Sequence, residues 1–261
     1  MKRIFCLTLT SLCICAFGFS VPAQEAPINV LFLTSSAGFE HDVIRRTDGD
    51  LGFVEKLMVK LGADEGIRIL PTKDGGLISK ETLPLFDVVM LYTTGDLTKA
   101  GKDGSIPTSE AGRQALIEWV AAGGALVGTH TASDTFHGWK PYLEMIGGEF
   151  MSHGKQQDGV LTVKKHPITS HLPEKWTLFE EWYCYKNLQD DFTPIMLLDG
   201  SQMDEAYYKE AGLYPHGWVE NFGKGRVFHS ALGHRQDVWE NPEFQKMLIK
   251  AIKWTTKKLP E

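Results

Sequence analysis

The sequence is poor in cysteine and in basic residues, and each shortage excludes a class of protein. Only four cysteines occur in 261 residues, and three of them precede residue 16. Lys and Arg number 27 against 33 Asp and Glu, and no basic run occurs, so the chain lacks the positive surface that nucleic acid requires. Beyond residue 20 no apolar stretch is long enough to span a membrane.

Several motifs that would define a chemistry are also missing. The sequence has no phosphate-binding loop and no dinucleotide glycine fingerprint. A Gly-x-Ser-x-Gly elbow is absent, which disfavours a serine hydrolase of the α/β type. Neither His-Glu-x-x-His nor paired cysteines occur, so any metal site has to be assembled from distant parts of the chain.

The N-terminal segment has the pattern of a secretory signal peptide. Lys2 and Arg3 precede an apolar run over residues 4–19, and small residues stand at the spacing of a cleavage site before residue 24. The apolar run is short for a retained transmembrane anchor. We therefore expect residues 1–23 to be removed and the protein to be exported to the periplasm or secreted.

Cleavage would leave one domain over residues 24–261 with 25 basic and 33 acidic residues, a formal charge of −8. Cys184 would be its one cysteine, so no internal disulfide is expected and the thiol is interpreted as buried within a strand. A lipoprotein attached through Cys13 or Cys15 is the less favoured alternative, because the residues before them are bulkier than that processing requires. After cleavage we expect no membrane contact.

Apolar runs alternate with helical patterns through the first half of the chain. The pattern predicts strands at residues 28–34, 67–70, 87–92 and 125–127, and helices at 50–61, between the second and third strands, and at 108–122. This order is typical of an α/β fold with a doubly wound parallel sheet flanked by helices. In the second half, runs at residues 159–164, 176–185, 193–198, 217–221 and 225–232 predict added antiparallel strands, and residues 242–257 a closing helix.

Polar side chains follow three of the predicted parallel strands. Glu40 and His41 come after the first strand, Asp96 after the third and His130 after the fourth. Because the carboxyl ends of parallel strands meet at one edge of a sheet, these loops are expected to converge there. His234 follows the last strand in the same way.

Histidine suits both acid–base chemistry and metal binding near neutral pH. We predict that His130 and His234 are catalytic, assisted by Asp134 and Glu181, although a buried histidine satisfied by hydrogen bonds is the plainer alternative for any one of them. A divalent metal is the second alternative, with ligands drawn from His41, His130, His153 and His234.

Aromatic residues stand beside polar residues in the predicted loops. Trp139 and Trp182 are interpreted either as core residues or as platforms for a carbohydrate ring, whose C–H faces are apolar and whose hydroxyls need acceptors. With Glu40, His41 and His153 they form the predicted substrate-binding set. The expected partner is a small carbohydrate, and the sequence leaves open whether the chain forms a homo-oligomer.

Several motifs in a fixed order resemble one known family. They are the segments at residues 36–42, 128–136, 146–150 with His153, 179–182 and 225–239, which read SAGFEHD, GTHTASDTF, IGGEF, FEEW and GRVFHSALGHRQDVW. Together they span nearly all of residues 24–261, and they are similar to the ThuA-like family, named for trehalose utilisation.

The resemblance implies a class I glutamine amidotransferase-like fold, which has a flavodoxin-like parallel sheet. In amidotransferases the turn after the corresponding strand carries a nucleophilic cysteine, whereas His130 stands at that place here, and His234 lies where the partner histidine would come. Glutamine hydrolysis by a thiolate is therefore not expected.

The resemblance also implies a role in sugar catabolism, because members of the family are associated with oxidoreductases that make 3-keto-glycosides. We expect a lyase or hydrolase acting on a glycoside or 3-keto-glycoside, with one histidine as base and a second histidine or a metal as electrophile. The alternative is a non-catalytic sugar-binding module on a degenerate amidotransferase scaffold.

Overall fold

The computed structural model of the chain describes residues 26–259. The predicted signal peptide and its cleavage site lie outside these residues. None of the helices within residues 26–259 has the length and apolar character needed to cross a bilayer.

Five parallel strands form one half of a nine-stranded sheet. They are β1 (Ile28–Leu33), β2 (Ile67–Thr72), β3 (Val88–Leu91), β4 (Ala125–Thr129) and β11 (Gly225–Ser230), and they lie in the order β2-β1-β3-β4-β11. Successive residues of β1 face opposite cores: Val30 and Phe32 pack on one side and Leu31 and Leu33 on the other. A strand covered on both faces is apolar throughout, which is why the runs were recognisable.

Antiparallel strands extend the sheet beyond β11. They are β10 (Leu213–Phe222), β9 (Thr193–Asp199), β6 (Gln157–Val163) and β7 (Lys175–Glu180), in that order. The hairpin predicted at Gly223 and Lys224 joins β10 to β11. The mixed sheet, parallel first and antiparallel later, confirms the predicted fold class.

Helices cover both faces of the sheet. They are α1 (Phe53–Asp64), α2 (Glu110–Ala121), α3 (Lys140–Ile146), α4 (Ala206–Ala211), α5 (Gln236–Glu240) and α6 (Pro242–Thr255). Helices α1 and α6 pack on the core that contains Phe32, and α2 and α3 on the core that contains Leu31. The helix predicted between β2 and β3 is instead a pair of 3₁₀ turns at Gly75–Leu77 and Leu83–Leu85.

Gly62 lies inside α1 and does not end it, contrary to the sequence pattern. A side chain there would come within 2.8 Å of the Ile67 carbonyl oxygen. The glycine therefore serves the close approach of α1 to β2 and is not a helix cap.

The single strand predicted over residues 176–185 is two strands in two different sheets. Strand β7 ends at Glu180, and β8 (Tyr183–Lys186) pairs with β5 (Glu149–His153), which the sequence pattern had not shown, as a separate two-stranded sheet. Between them Trp182 turns its ring into the core, where its indole nitrogen donates to the Gln157 carbonyl at 2.8 Å. The break between β7 and β8 sets the direction in which the side chain of the neighbouring Glu181 points. Cys184 in β8 is buried, as predicted.

Candidate functional site

The site lies at the carboxyl edge of the parallel strands. His130 is the first residue after β4, and its backbone is left-handed, with φ 45°. Such a conformation costs a non-glycine residue about 1–2 kcal/mol, and it is typical of a sharp strand-to-helix turn. Gly128 makes the turn possible, since a side chain there would lie within 3.0 Å of His229, Ile146 and Ala132.

Hydrogen bonds fix the tautomer and direction of the His130 ring. Its Nδ1 lies 2.8 Å from the Ala231 carbonyl oxygen, which can only accept, so Nδ1 carries the proton. The lone pair is then on Nε2, and the Tyr183 hydroxyl donates to it at 3.0 Å. A histidine held through one nitrogen by a carbonyl presents the other as a ligand or base.

Three imidazoles and one carboxylate converge around this lone pair. One nitrogen or oxygen from each of His41, His130, Glu181 and His234 lies within 4.8 Å of one from each of the others. His234 Nδ1 is 3.3 Å from His130 Nε2 and 3.4 Å from Glu181 Oε1. His153 lies at the rim, with its Nδ1 3.4 Å from Glu181 Oε2. We call the four converging residues the histidine cluster.

The electrostatics of the histidine cluster keep two of its imidazoles neutral. Burial, with smaller contributions from His234 and His153, lowers the pKa of His41 to about 3. Burial likewise holds the pKa of His130 well below its usual range. It also disfavours the charged form of His234, but the Glu181 carboxylate outweighs this effect and raises the pKa of His234. Within the described residues, His41 Nδ1 is buried and has no hydrogen-bond partner.

A buried carboxylate holds the loop that carries His234. One oxygen of Glu180 accepts from the backbone nitrogens of Gly233 and His234, at 2.9 and 3.2 Å, and the other accepts from the Glu181 nitrogen at 2.8 Å. Burial raises the pKa of Glu180 to about 7 in spite of these bonds. Glu180 therefore fixes two members of the histidine cluster through their backbones.

A cleft of about 560 Å³ opens beside the histidine cluster. His41 and His234 form part of its wall, together with Phe39, Gln156 and Arg235. Its volume lies within the range of about 300–1,000 Å³ that is usual for small-molecule sites. His130 is fully buried behind the wall, so it can act on a bound molecule only through the centre of the cluster.

Two of the predicted acidic site residues lie outside the histidine cluster. Asp134 accepts from His137, whose other nitrogen bonds the buried Glu149 at 2.8 Å. Glu40 forms an ion pair with Lys73 at 3.0 Å. Both carboxylates are engaged in these contacts and neither belongs to the histidine cluster, so their roles at the site stay predictions. Asp96 is exposed and caps a turn at Thr98.

Neither predicted tryptophan is among the residues that line the cleft. Trp182 is fully buried in the core. Trp139 is half-buried, and the guanidinium of Arg113 lies 4.4 Å from its ring centre. The assignment of Trp182 as a stacking platform is therefore corrected, because the core encloses its ring, whereas the role of Trp139 stays a prediction.

Two residues beside the histidine cluster, Tyr183 and Phe39, were not among the predicted site residues. Tyr183 hydrogen-bonds to the histidine cluster, but in sequence it could not be separated from the apolar alternation of residues 176–185. Phe39 stands two residues before His41 in the loop after the first strand, and this position could have indicated that Phe39 lies near the site.

The fold and site together define an α/β protein with a flavodoxin-like sheet and a histidine at the turn after β4. Residues 29–255 match the ThuA family, described as trehalose utilisation, so the chain belongs to this family. Membership indicates a sugar-related role. No curated protein matches the chain in sequence.

Solved structures with the same fold include two ThuA-like proteins. One, from Bacteroides uniformis, is 20% identical with a TM-score of 0.69, covering 91% of this chain and 95% of that chain. Another, from Parabacteroides merdae, is 17% identical with a TM-score of 0.66, covering 89% and 91%. A β-galactosidase from Rahnella is 14% identical with a TM-score of 0.54, covering 91% of this chain but 32% of that enzyme. At these identities the similarity concerns the fold alone.

Proposed function

We propose that the protein is an exported carbohydrate-processing enzyme that acts on a glycoside or 3-keto-glycoside with histidine chemistry assisted by a divalent metal. The observation that supports it is the convergence of His41, His130, His234 and Glu181 beside an open cleft. Three imidazoles and one carboxylate are a ligand set suited to zinc or manganese.

The residues fit such an ion in three ways. Metal ligands must be deprotonated, and burial keeps His41 and His130 neutral. His130 is oriented by a backbone carbonyl, as metal-bound histidines generally are. Glu181 supplies a carboxylate ligand. Two of the four groups, His41 and His234, form part of the cleft wall. When bound, the ion would polarise a sugar carbonyl.

In this proposal His153 moves the proton, because its half-exposed ring lies beside Glu181, with Nδ1 3.4 Å from Oε2. Its Nδ1 donates to the Gly154 carbonyl at 2.8 Å, which leaves Nε2 with a lone pair on a half-exposed ring. In the proposed reaction Nε2 takes the hydrogen from the carbon next to the ketone. The electron pair of that C–H bond forms the new double bond, the glycosidic C–O bond breaks, and the departing oxygen receives the proton from His153.

The proposal is tested by metal analysis and turnover on the same preparations. Purified protein should contain about one zinc or manganese per chain and release nitrophenol from a nitrophenyl 3-keto-glucoside. His234→Gln and Glu181→Gln should lower metal content well below half and turnover at least a hundredfold, since a missing metal ligand removes the electrophile. His153→Gln should keep the metal and lose turnover.

The matched control is His166→Gln, a histidine beside Trp254 at the opposite end of the sheet. His166→Gln should leave both the metal content and the turnover unchanged. Metal-free protein with full turnover, or full turnover in His234→Gln and His153→Gln, would refute the proposed chemistry and leave a sugar-binding module as the better description.

A further inference from the structure

We infer that the cleft selects an unphosphorylated glycoside, whose sugar ring stacks on Phe39 while its reacting end faces the histidine cluster. This inference rests on the proposed sugar function and specifies its substrate class. It follows from the exposure of one aromatic ring, the rigidity of its loop and the charges of the cleft.

Phe39 is an exposed aromatic ring beside the histidine cluster. Its side chain is 66% exposed although it lies on the cleft wall, and its ring centre is 4.9 Å from that of His41. A lone exposed apolar residue is ordinary on a protein surface. One that faces a cleft next to converging imidazoles offers the flat apolar surface that the C–H face of a sugar requires.

The loop that carries Phe39 is held in place before any ligand arrives. The Thr94 hydroxyl donates to the Phe39 carbonyl at 2.8 Å, and the Thr94 carbonyl accepts from Ala37 and Gly38. A side chain at Gly38 would come within 3.2 Å of the Gly95 nitrogen, so the loops after β1 and β3 touch through backbone. Because the backbone of this loop is already ordered, little backbone entropy is lost when a ligand stacks on the ring.

Around Arg235, the charges on the cleft wall disfavour a phosphate group. Among the described residues that line the cleft, Arg235 is the one arginine, and it stands against the carboxylates of Asp237 and Glu240, whereas Asp42 is paired with Arg45. Both sides of the Arg235 guanidinium are occupied: Asp237 accepts from Nε and Nη2 at 2.9 and 2.8 Å, and Gln156 accepts from Nη1 at 2.7 Å. A phosphate bound at Arg235 would have to displace these partners and approach the Glu240 carboxylate. A neutral polyol meets no such repulsion.

The experiment compares binding of trehalose and trehalose phosphate to the intact protein by calorimetry. Wild type should bind trehalose at least tenfold more tightly than its phosphate ester. Phe39→Ala should weaken trehalose binding roughly five- to tenfold. It should also raise KM for the nitrophenyl 3-keto-glucoside with little change in kcat. Phe39→Trp should restore both the trehalose affinity and KM. Asp237→Asn removes the carboxylate that neutralises Arg235. The difference in affinity between trehalose and its phosphate ester should therefore become smaller.

Leu85→Ala is the matched control, because Leu85 is an equally exposed apolar residue that does not line the cleft. It should bind trehalose as wild type does. The inference is overturned if Phe39→Ala binds trehalose unchanged, or if wild type prefers the phosphate ester. Either result leaves the proposed function standing as long as His234→Gln still loses metal and turnover.

Discussion

A carboxyl group is buried without a full set of partners in β10. Glu220 is 5% exposed, and its Oε2 has no hydrogen-bond partner within residues 26–259. Burial, with a smaller contribution from Asp191, raises its pKa to about 8. The folded protein therefore holds a proton that the unfolded chain releases at a lower pH.

The sign of the pH dependence follows from this difference. The contribution of Glu220 to stability is fully present below its unfolded pKa and is lost as pH rises through about 8. Glu220→Gln stays neutral, so we expect the variant to match wild type near pH 5. At pH 9 it should be more stable by roughly 1–2 kcal/mol, or several degrees in Tm. Thermal unfolding at the two pH values measures this.

The exposed Glu174→Gln serves as the control and should follow wild type at both pH values. Melting curves of Glu220→Gln that run parallel to those of wild type across the pH range would contradict the assignment.

The histidines of the site were predictable and most of their partners were not. His41, His130 and His234 each follow a strand of the parallel half, so topology alone brings them to one edge. Trp182 was misassigned because an aromatic residue beside a carboxylate looks the same in sequence whether its ring enters the core or the solvent. Side-chain direction depends on the chain break after β7, which sequence periodicity did not show.

At the scale of elements, a buried ion pair fastens the loop of His41 to the start of α1. Both oxygens of the fully buried Glu55 are engaged: Arg46 donates to them at 2.8 and 2.9 Å, the Gly52 nitrogen at 2.7 Å and the Thr34 hydroxyl at 2.5 Å. Loss of one partner from a buried pair leaves the other charge uncompensated.

We therefore expect Glu55→Gln to lower the free energy of unfolding by about 2–4 kcal/mol, measured by urea denaturation. Metal affinity should fall as well, because the loop that carries His41 loosens. The control is Glu65→Gln, which removes the partially exposed pair with Lys253 and should cost less than about 1 kcal/mol. Equal losses of unfolding free energy in Glu55→Gln and Glu65→Gln would show that the Glu55 hydrogen bonds do not stabilise the fold more than an exposed ion pair does.

The parallel strands and long helices were predictable because their periodicity is strong. Helix α6 was predicted within two residues of its observed end, Thr255, since one face of it is continuously apolar. Strand β5 was missed because it is short, partly exposed and pairs only with β8, a partner far away in the chain. Such a strand is stabilised by its tertiary contact and leaves little local signal.

For the whole molecule, the metal and the fold should be thermodynamically linked. The histidine cluster draws on four distant segments, so the unfolded chain offers no comparable site. An ion at a hundredfold excess over Kd then adds about 2.7 kcal/mol of stability. For a chain of this size we expect a rise in Tm of roughly 5–10 °C, reversed by a chelator and measured by calorimetry.

His234→Gln should melt at the same temperature with and without zinc, whereas His166→Gln should respond as wild type does. A similar rise in both variants would place the ion elsewhere on the molecule.

The left-handed backbone at His130 also bears on how this position evolves. A glycine or asparagine there would relieve the unfavourable φ of 45°, so random drift under selection for stability alone would tend to discard the imidazole. The imidazole at this turn therefore lowers the stability of the fold by about 1–2 kcal/mol relative to a residue that adopts this backbone freely.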